Sequence, residues 1–294
     1  MSNLILFPHE AFSRNEIDSA FSEEHEAALT AGWKTVFYDH DAIEQGESTI
    51  AIQGLPVSTY LQKLILRGWM LPGETYAKLY EAVRTRGYEL VTSPEAYEEA
   101  HYLPLAYPLI RHETARTTWI SGDDIESAWG LYSDFSGSDV MIKDWVKSAK
   151  NRWNDGCFIP AGTDEKRFKE IYKVFREERG NLFNRGIVLR EFMPLITHGN
   201  DMRGMPLVEE TRLFFWNGKI IVFPLENYSL PQSELKKWEN IARQFKSSFI
   251  TIDVAALTDG TYKIVETGDG GVSGLPVDLD PVYFYRSLSE RVNQ

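Results

Sequence analysis

The chain has 294 residues, of which 43% are hydrophobic and 13% aromatic, enough for a packed core in one large or two smaller domains. With 31 basic residues against 43 acidic ones, its net charge of −12 argues against a general nucleic-acid-binding protein. It has one cysteine, no apolar run long enough for a membrane span, and no basic-then-apolar signal sequence at its N-terminus, so we expect a cytoplasmic protein.

The first part of the chain alternates between strand and helix patterns. We expect strands at residues 4–7, 35–38 and 88–91, and helices at residues 16–31 and 76–86. A further helix is expected to begin at Ser93-Pro94-Glu95, where a capping residue precedes proline at the first helical position. This alternation predicts an N-terminal α/β domain over residues 1–115.

Residues 116–294 have a different pattern, which predicts an α+β domain. Two hairpins are expected, at residues 210–223 and 249–267. They turn at Asn217-Gly218 and Asp259-Gly260, because both central residues of such two-residue turns need positive φ. The other expected elements are strands at 139–143 and 186–192 and helices at 164–179 and 233–245.

Two carboxylates are predicted to face each other across the second hairpin. A two-residue Asp259-Gly260 turn sets Asp253 directly opposite Glu266, where like charges destabilise a sheet. A hard divalent cation with oxygen ligands would explain the pair. A lysine or arginine between the carboxylates, or a bulge that breaks the register, would also explain it.

The glycine-rich segment 268–274 follows this hairpin. It is either a flexible turn or a loop that lets a substrate or phosphate approach the backbone closely. Asp269 within it is a further candidate metal ligand.

Basic residues interrupt apolar strands at three places. Lys143 ends an apolar strand, where it either binds phosphate or extends its ammonium group to solvent. Arg190 and Glu191 lie side by side in another strand and point to opposite faces. The Asn217-Gly218 turn sets Arg212 opposite Phe223 in apolar surroundings. Its anionic partner is then either a nearby glutamate, Glu209 or Glu210, or a phosphate.

The order of these features resembles the ATP-grasp superfamily. They are the strand that ends in Lys143, the strand at 186–192, the hairpin that carries Arg212, and the hairpin that carries Asp253 and Glu266. The resemblance covers residues from about 115 to 275, and the segments Arg67-Gly-Trp-Met and His101-Tyr-Leu-Pro suggest an outlying branch. It implies an ATP-grasp fold, with the N-terminal α/β domain followed by two α+β lobes in residues 116–294. The hinge between the lobes is expected at residues 191–194.

The resemblance also implies roles for individual residues. Arg212 and Lys147 are implied to act during catalysis, and Asp253, Glu266 and Asp269 to bind magnesium. The implied nucleotide-binding residues are Lys143, Arg190, Glu191, Phe192, Met193 and Glu210.

Two departures from the family pattern concern the metal and the lid. Gly268 stands where the family usually has asparagine, which leaves the number of magnesium ions open. Lys147, Ser148, Lys150 and Arg152 occupy the stretch where the family has a mobile glycine-rich loop. A basic lid of this kind either neutralises phosphate charge or indicates altered nucleotide handling.

The implied function is an ATP- and Mg²⁺-dependent ligase that joins a carboxylate to an amine or other nucleophile through an acyl-phosphate. Its expected substrates are small molecules or peptides, and Arg67 and Trp69 are candidates to bind a substrate carboxylate. A phosphotransferase of the same fold and a non-catalytic nucleotide-binding protein are the alternatives. A zinc hydrolase is disfavoured because the six histidines show no close ligand spacing.

Overall fold

The structure is a computed structural model that describes residues 4–135, 137–221 and 230–293. The strands are β1 (Leu4–Glu10), β2 (Ser13–Ile17), β3 (Lys34–Tyr38), β4 (Gln62–Leu66), β5 (Tyr88–Leu90), β6 (Thr117–Ser121), β7 (Val140–Asp144), β8 (Phe158–Ile159), β9 (Gly186–Glu191), β10 (Thr197–Asn200), β11 (Pro206–Val208), β12 (Glu210–Trp216), β13 (Lys219–Ile220), β14 (Phe249–Ala256) and β15 (Tyr262–Asp269).

The helices complete the inventory of the described residues. They are α1 (Ser22–Thr30), α2 (His40–Glu44), α3 (Ser48–Ala51), α4 (Gly73–Arg84), α5 (Pro94–His101), α6 (Leu103–Ile110), α7 (Ile125–Tyr132), α8 (Glu165–Arg179), α9 (Gln232–Ala242) and α10 (Pro281–Val292). Across these described ranges, no helix has both the length and the apolar character needed to cross a bilayer.

Most predicted elements are present, and the largest error lies near the N-terminus. The helix predicted at 16–31 is wrong in its first part, because β2 occupies Ser13–Ile17 and pairs with β1. Asp18 then ends the extended segment, since its carboxylate accepts a hydrogen bond from Ala20 N at 2.9 Å. Strands β4 and β6 were not predicted.

The first predicted hairpin turn is confirmed. Phe215 pairs with Ile220 and Trp216 with Lys219. Asn217 and Gly218 have φ of 49° and 70°, as a two-residue turn requires. The predicted partner of Arg212, Phe223, lies outside the described residues.

The chain divides into two compact units. The first unit is Met1–Ala100, Arg212–Ile252 and Thr267–Gln294, and the second is His101–Thr211 and Asp253–Glu266. The structure also contains a four-stranded sheet of order β13-β12-β14-β15. The predicted domain boundary at residue 115 stays a prediction.

The core of the first unit is built on parallel strands. β3, β1, β4 and β5 pair in that order, all parallel. The central strands are apolar at successive positions because both faces of the sheet are covered. Leu6 and Leu64 face one buried cluster, whereas Ile5 and Ile65 face another, which also contains Phe284 of α10.

A buried arginine connects three segments of the first unit. Arg67 is 1% exposed and donates from Nε and Nη2 to the carboxylate of Glu24, at 2.9 and 2.8 Å. Its Nη1 donates to the carbonyl oxygens of Gly270 and Ser273, at 2.5 and 2.8 Å. Tyr285 Oη donates to the same Glu24 carboxylate at 2.7 Å. Arg67 therefore fixes the glycine-rich loop, and its donors are engaged within the unit.

The second unit contains an antiparallel sheet of order β6-β9-β7-β8. One face of this sheet packs on α8, with Ile142 and Leu189 in the same buried cluster as Phe168 and Phe175. Asp164 caps α8 by accepting from Arg167 N at 2.8 Å. Since side chains alternate along a strand, the residues between these apolar ones point to the opposite face.

We expect Arg67→Met to lower the unfolding free energy by about 3–5 kcal/mol, because it leaves the Glu24 carboxylate buried without its cation. Thermal unfolding should show a fall in Tm on the order of 10 °C. Arg84→Gln is the control. It removes one partner of an exposed ion pair with Glu81, and it should change stability by no more than about 0.5 kcal/mol. Equal Tm values for the two variants would contradict the prediction.

Candidate functional site

A cavity of about 450 Å³ lies within the second unit, a volume in the range of small-molecule sites. Its lining includes eight of the eleven predicted site residues, and its apolar part comes mainly from β11 and from the segments after β7 and β9. The residues that line it are Met141, Lys143, Val146, Lys147, Ser148, Lys150, Asn151, Trp153, Arg190, Glu191, Phe192, Met193, Leu195, Met205, Pro206, Leu207, Val208, Glu210, Val265 and Glu266.

The floor of the cavity is the open face of the antiparallel sheet. Met141 pairs with Arg190, and Lys143 pairs with Val188, so these four side chains share one face. The ammonium group of Lys143 makes no hydrogen bond or ion pair with any residue that the structure describes. Burial lowers the pKa of Lys143 to about 8, although Glu266 acts to raise it. A cation in this state favours a ligand that brings negative charge.

The basic segment after β7 is held in place by a buried aspartate. Asp144 is 0% exposed, and its Oδ1 accepts from the backbone N–H groups of Val146 and Lys147, at 2.7 and 2.6 Å. Its Oδ2 accepts from Arg179 Nε at 2.8 Å. The chain therefore turns sharply after Lys143, and Lys147 and Lys150 also line the cavity.

The segment that follows β9 forms another wall, with an aromatic cluster beside it. Phe192 packs edge-on against Trp153 and Phe158, with ring centroids 5.8 and 5.4 Å away. The N–H groups of Glu191 and Phe192 already donate to backbone carbonyls, at 2.9 and 2.8 Å. The N–H of Met193 has no acceptor among the residues that the structure describes, so it is available to a ligand.

Glu266 contacts the basic segment directly. Lys147 Nζ donates to Glu266 Oε1 at 3.2 Å, and both side chains are partly exposed. Burial raises the pKa of Glu266, but Lys147, Lys143 and Lys150 outweigh it and lower the pKa to about 2. Glu266 is therefore a carboxylate surrounded by cations.

Arg190 uses its donors on the backbone of β15. Nη1 donates to Val265 O at 2.6 Å, and Nη2 donates to Ile264 O at 2.9 Å and to Thr114 Oγ1 at 2.6 Å. Its Nε is buried with no hydrogen-bond partner in the described part of the chain. Burial lowers the pKa of Arg190 to about 10, opposed by Glu266 and Glu210. Arg190 thus keeps its Nε–H for a ligand.

The predicted two-residue turn at Asp259-Gly260 is wrong. Gly260 N donates to Leu257 O at 2.9 Å, and Leu257 N donates to Thr261 O at 2.7 Å, which makes a three-residue turn. Gly260 has φ of 83°, and Asp259 Oδ1 accepts from Thr261 N at 2.9 Å. This arrangement is a tight turn followed by a glycine bulge, and it shifts the register by one residue.

A second irregularity cancels that shift. Gly270 N donates to Phe249 O at 3.0 Å, which is the originally predicted register, so β15 holds one extra residue in between. The carbonyls of Ile264 and Val265 both point to Arg190, whereas consecutive carbonyls of a regular strand alternate. The extra residue therefore lies at Ile264–Val265. The pairing of Asp253 with Glu266 beyond this bulge stays a prediction.

Three predicted site residues do not line the cavity. Asp253 is buried in the second unit, at 4% exposure. Arg212 belongs to the first unit and donates from Nη1 to Gly274 O at 3.1 Å. Asp269 is also in the first unit, where its carboxylate accepts from Thr92 Oγ1 at 2.7 Å and from Gly271 N at 2.8 Å. The assignment of these residues to ATP or magnesium stays a prediction.

The sequence did not identify Asp144 or the apolar residues around the cavity. Asp144 does carry a signal, because Val140, Ile142 and Asp144 share the buried side of one strand. A carboxylate at such a position needs several donors. The lining from β11 gave no signal, since Pro206–Val208 is too short for a period to be read.

We expect Lys143 to react with an amine-directed acylating reagent with an apparent pKa near 8, because burial favours its neutral form. Competitive labelling across a pH series, with mass spectrometry of the peptides, measures this value. Lys246, whose side chain is 66% exposed and lies 3.1 Å from Glu99, is the exposed lysine for comparison. Bound ATP should protect Lys143 and leave Lys246 reactive. A Lys143 titration that follows Lys246 would overturn the expectation.

Residues 134–288 match a family model described as an ATP-grasp domain, family 3 of its clade. No curated protein sequence matches the chain. Its fold is similar to that of the D-cycloserine synthetase DcsG, at a TM-score of 0.60 and 14% identity over 98% of this chain and 99% of that one.

Two peptide-bound structures are also similar. The ATP-grasp ligase PsnB, complexed with a phosphomimetic variant of its minimal precursor, Mg and ADP, has a TM-score of 0.56 at 12% identity and covers 99% of this chain and 98% of its own. The macrocyclase MdnC from Microcystis aeruginosa MRC, bound with precursor peptide MdnA, has a TM-score of 0.55 at 13% identity and covers 99% and 100%. At such identities the likeness shows the fold alone.

Proposed function

The chain belongs to this family of ATP-grasp domains. From its membership we propose that it is an ATP- and Mg²⁺-dependent ligase. It would join a carboxylate to an amine or other nucleophile through an acyl-phosphate. The predicted membership in an outlying ATP-grasp branch and the predicted fold class are confirmed. One observation carries the functional proposal: four cationic side chains line a cavity beside an available backbone N–H, in a chain with a net charge of −12.

The cavity's two kinds of lining suit the two ends of a nucleotide. The aromatic and aliphatic wall, with Trp153, Phe192 and Met193, suits adenine, and Met193 N–H supplies a donor for a ring nitrogen. Lys143, Lys147 and Lys150 suit the phosphates, since an ammonium group binds phosphate as a point charge. The nucleotide would thus lie along the open face of the sheet.

The donor set fits a nucleotide-borne magnesium ion. In the described residues, no group of three or more His, Cys, Asp or Glu side chains could hold a metal by itself. Magnesium carried by ATP needs only one or two carboxylates, because the phosphates and water complete its octahedron. Asp253 of β14 and Glu266 of β15, which are predicted to pair across the hairpin, are the two we assign. When bound, the ion would neutralise the charge that develops on the transferring phosphoryl group.

The chemistry needs no protein nucleophile. A substrate carboxylate oxygen attacks the γ-phosphorus, and the bond to the bridging oxygen of ADP breaks. The amine nitrogen then attacks the acyl carbon, the bond to phosphate breaks, and the amine loses a proton. Lys143 and Lys147 would offset the charge on the phosphate oxygens, and Arg212 remains the predicted residue for the acyl-phosphate.

The substrates we propose are amino-acid-like or peptidic. Structures of PsnB and MdnC contain precursor peptides, and DcsG is a D-cycloserine synthetase. The direct test offers ATP with pools of amino acids and short peptides and follows ADP, phosphate and product masses. A product heavier than either substrate by the other minus water supports ligation. A stable phosphorylated product would show a phosphotransferase, and the absence of any ATP turnover would overturn the proposal.

We expect ATP lacking adenine N1 (1-deaza-ATP) to bind about fivefold more weakly than ATP, because the Met193 N–H would lose its acceptor. ATP lacking N7 (7-deaza-ATP) is the matched control and should bind as ATP does. Isothermal titration with magnesium present gives both affinities. Equal losses of affinity for the two analogues would mean that Met193 N–H does not donate to adenine N1.

We expect Asp253→Asn to abolish ATP turnover and to keep the fold, since one of two adjacent carboxylates is neutralised without loss of volume. The Tm of the metal-free variant should be equal to or above that of the wild type, because a repulsion is removed. Asp259→Asn, in the turn of the same hairpin, is the control and should retain turnover. A large fall in Tm of Asp253→Asn with activity retained would rule out the metal role.

A further inference from the structure

The ion pair between Lys147 and Glu266 is weak enough for a ligand to replace either partner. The ammonium lies 3.2 Å from Oε1, yet the two side chains are 49% and 37% exposed. Ion pairs with such exposure contribute little to stability, typically less than about 1 kcal/mol. A competing cation or anion of higher charge can therefore separate the two groups at small cost.

The surroundings of Glu266 are crowded with positive charge. Lys143 and Lys150 act on its carboxylate together with Lys147. Arg190 lies beside them with its two terminal nitrogens committed to the backbone of β15. A free divalent cation that approaches Glu266 meets repulsion from Lys143, Lys147 and Lys150, and the carboxylate already holds an ammonium group.

We propose that Lys147 occupies, on Glu266, the place of a divalent cation, and that a polyphosphate draws Lys147 away when it delivers the cation. This inference rests on the proposed function. The triphosphate supplies negative charge for Lys147, and the released Glu266 oxygen becomes a metal ligand. Lys147 is thus a positioning residue that couples the two ligands, in addition to its predicted catalytic role.

Thermodynamic linkage gives the consequence. If Lys147 blocks the metal in the nucleotide-free protein, nucleotide must raise the affinity for metal, and metal must raise the affinity for nucleotide by the same factor. Free metal is then a poor ligand for the nucleotide-free protein. Glu266 then accepts a divalent cation mainly when that cation arrives with its phosphates.

The test measures binding of Mn²⁺ to the nucleotide-free protein by electron paramagnetic resonance, with Mn²⁺ as the probe for a magnesium site. We expect Lys147→Gln to bind Mn²⁺ about tenfold more tightly than the wild type, within the usual range of coupling between sites. Lys150→Gln is the matched control, because it removes the same charge from the same cavity but does not touch Glu266. It should gain no more than about two- to threefold, as screened charges do.

Two further variants make the result unambiguous. Lys147→Arg keeps a cation on Glu266, and it should exclude Mn²⁺ as the wild type does. Lys147→Gln combined with Glu266→Gln should lose the gain, which would assign it to this carboxylate. Equal gains for Lys147→Gln and Lys150→Gln would reduce the effect to general electrostatics and overturn the proposal, and so would no gain in either variant.

A second arm separates failure of this inference from failure of the proposed function. Titration with a non-hydrolysable ATP analogue, with and without Mn²⁺, gives the coupling factor for each variant. We expect a smaller factor for Lys147→Gln than for the wild type. An unchanged factor overturns the exchange while the nucleotide site stands. If the wild type binds no nucleotide under any condition, the proposed function fails as well.

Discussion

The accumulation of positive charge in one cavity is the constraint on which the site depends. Lys143, Lys147, Lys150 and Arg190 line a space bounded largely by apolar side chains, in an otherwise acidic chain. Burial disfavours the charged forms of Lys143 and Arg190, which is why their pKa values fall to about 8 and 10. Glu266 and the backbone carbonyls that bind Arg190 stabilise the charged forms in part. The positive charge that these groups do not offset favours the binding of a polyanion.

The sequence predicted the parts of the site that depend on a single strand or turn. An apolar strand that ends in Lys143 and a charged pair after Ile187–Leu189 are local patterns, and β7 and β9 form where those patterns lie. The Asn217-Gly218 turn has its predicted register for the same reason. The sequence could not predict which distant segments of the chain share a unit. Nothing in residues 267–294 indicates that they complete a core with residues 1–100, since that depends on tertiary packing.

The glycine-rich loop is held by contacts that the sequence did not indicate, and the approach of a ligand to it stays a prediction. The loop was expected either to be flexible or to admit a ligand, but Arg67 binds two of its carbonyls, and Asp269 binds Gly271 N. A Cβ on Gly271 would lie 2.7 Å from Leu66 O, so this glycine is required by a close approach of backbone to backbone. Burial raises the pKa of Asp269 to about 6. Thr92 Oγ1 and Gly271 N both donate to this carboxylate, and its role as a metal ligand stays a prediction.

The second hairpin reached its predicted register by a route that the sequence did not indicate. A two-residue turn alone would have set Asp253 opposite Glu266, whereas the structure uses a three-residue turn and a bulge that offset each other. The bulge presents the carbonyls of Ile264 and Val265 together, and the planar fork of Arg190 donates to both at once. A lysine, with a single nitrogen, could not hold two adjacent carbonyls in fixed directions. Arg190 was predicted to bind nucleotide, and its main contacts instead anchor the strand that carries Glu266. Arg190 in the floor of the cavity and Glu266 in its wall are therefore connected through the backbone of β15.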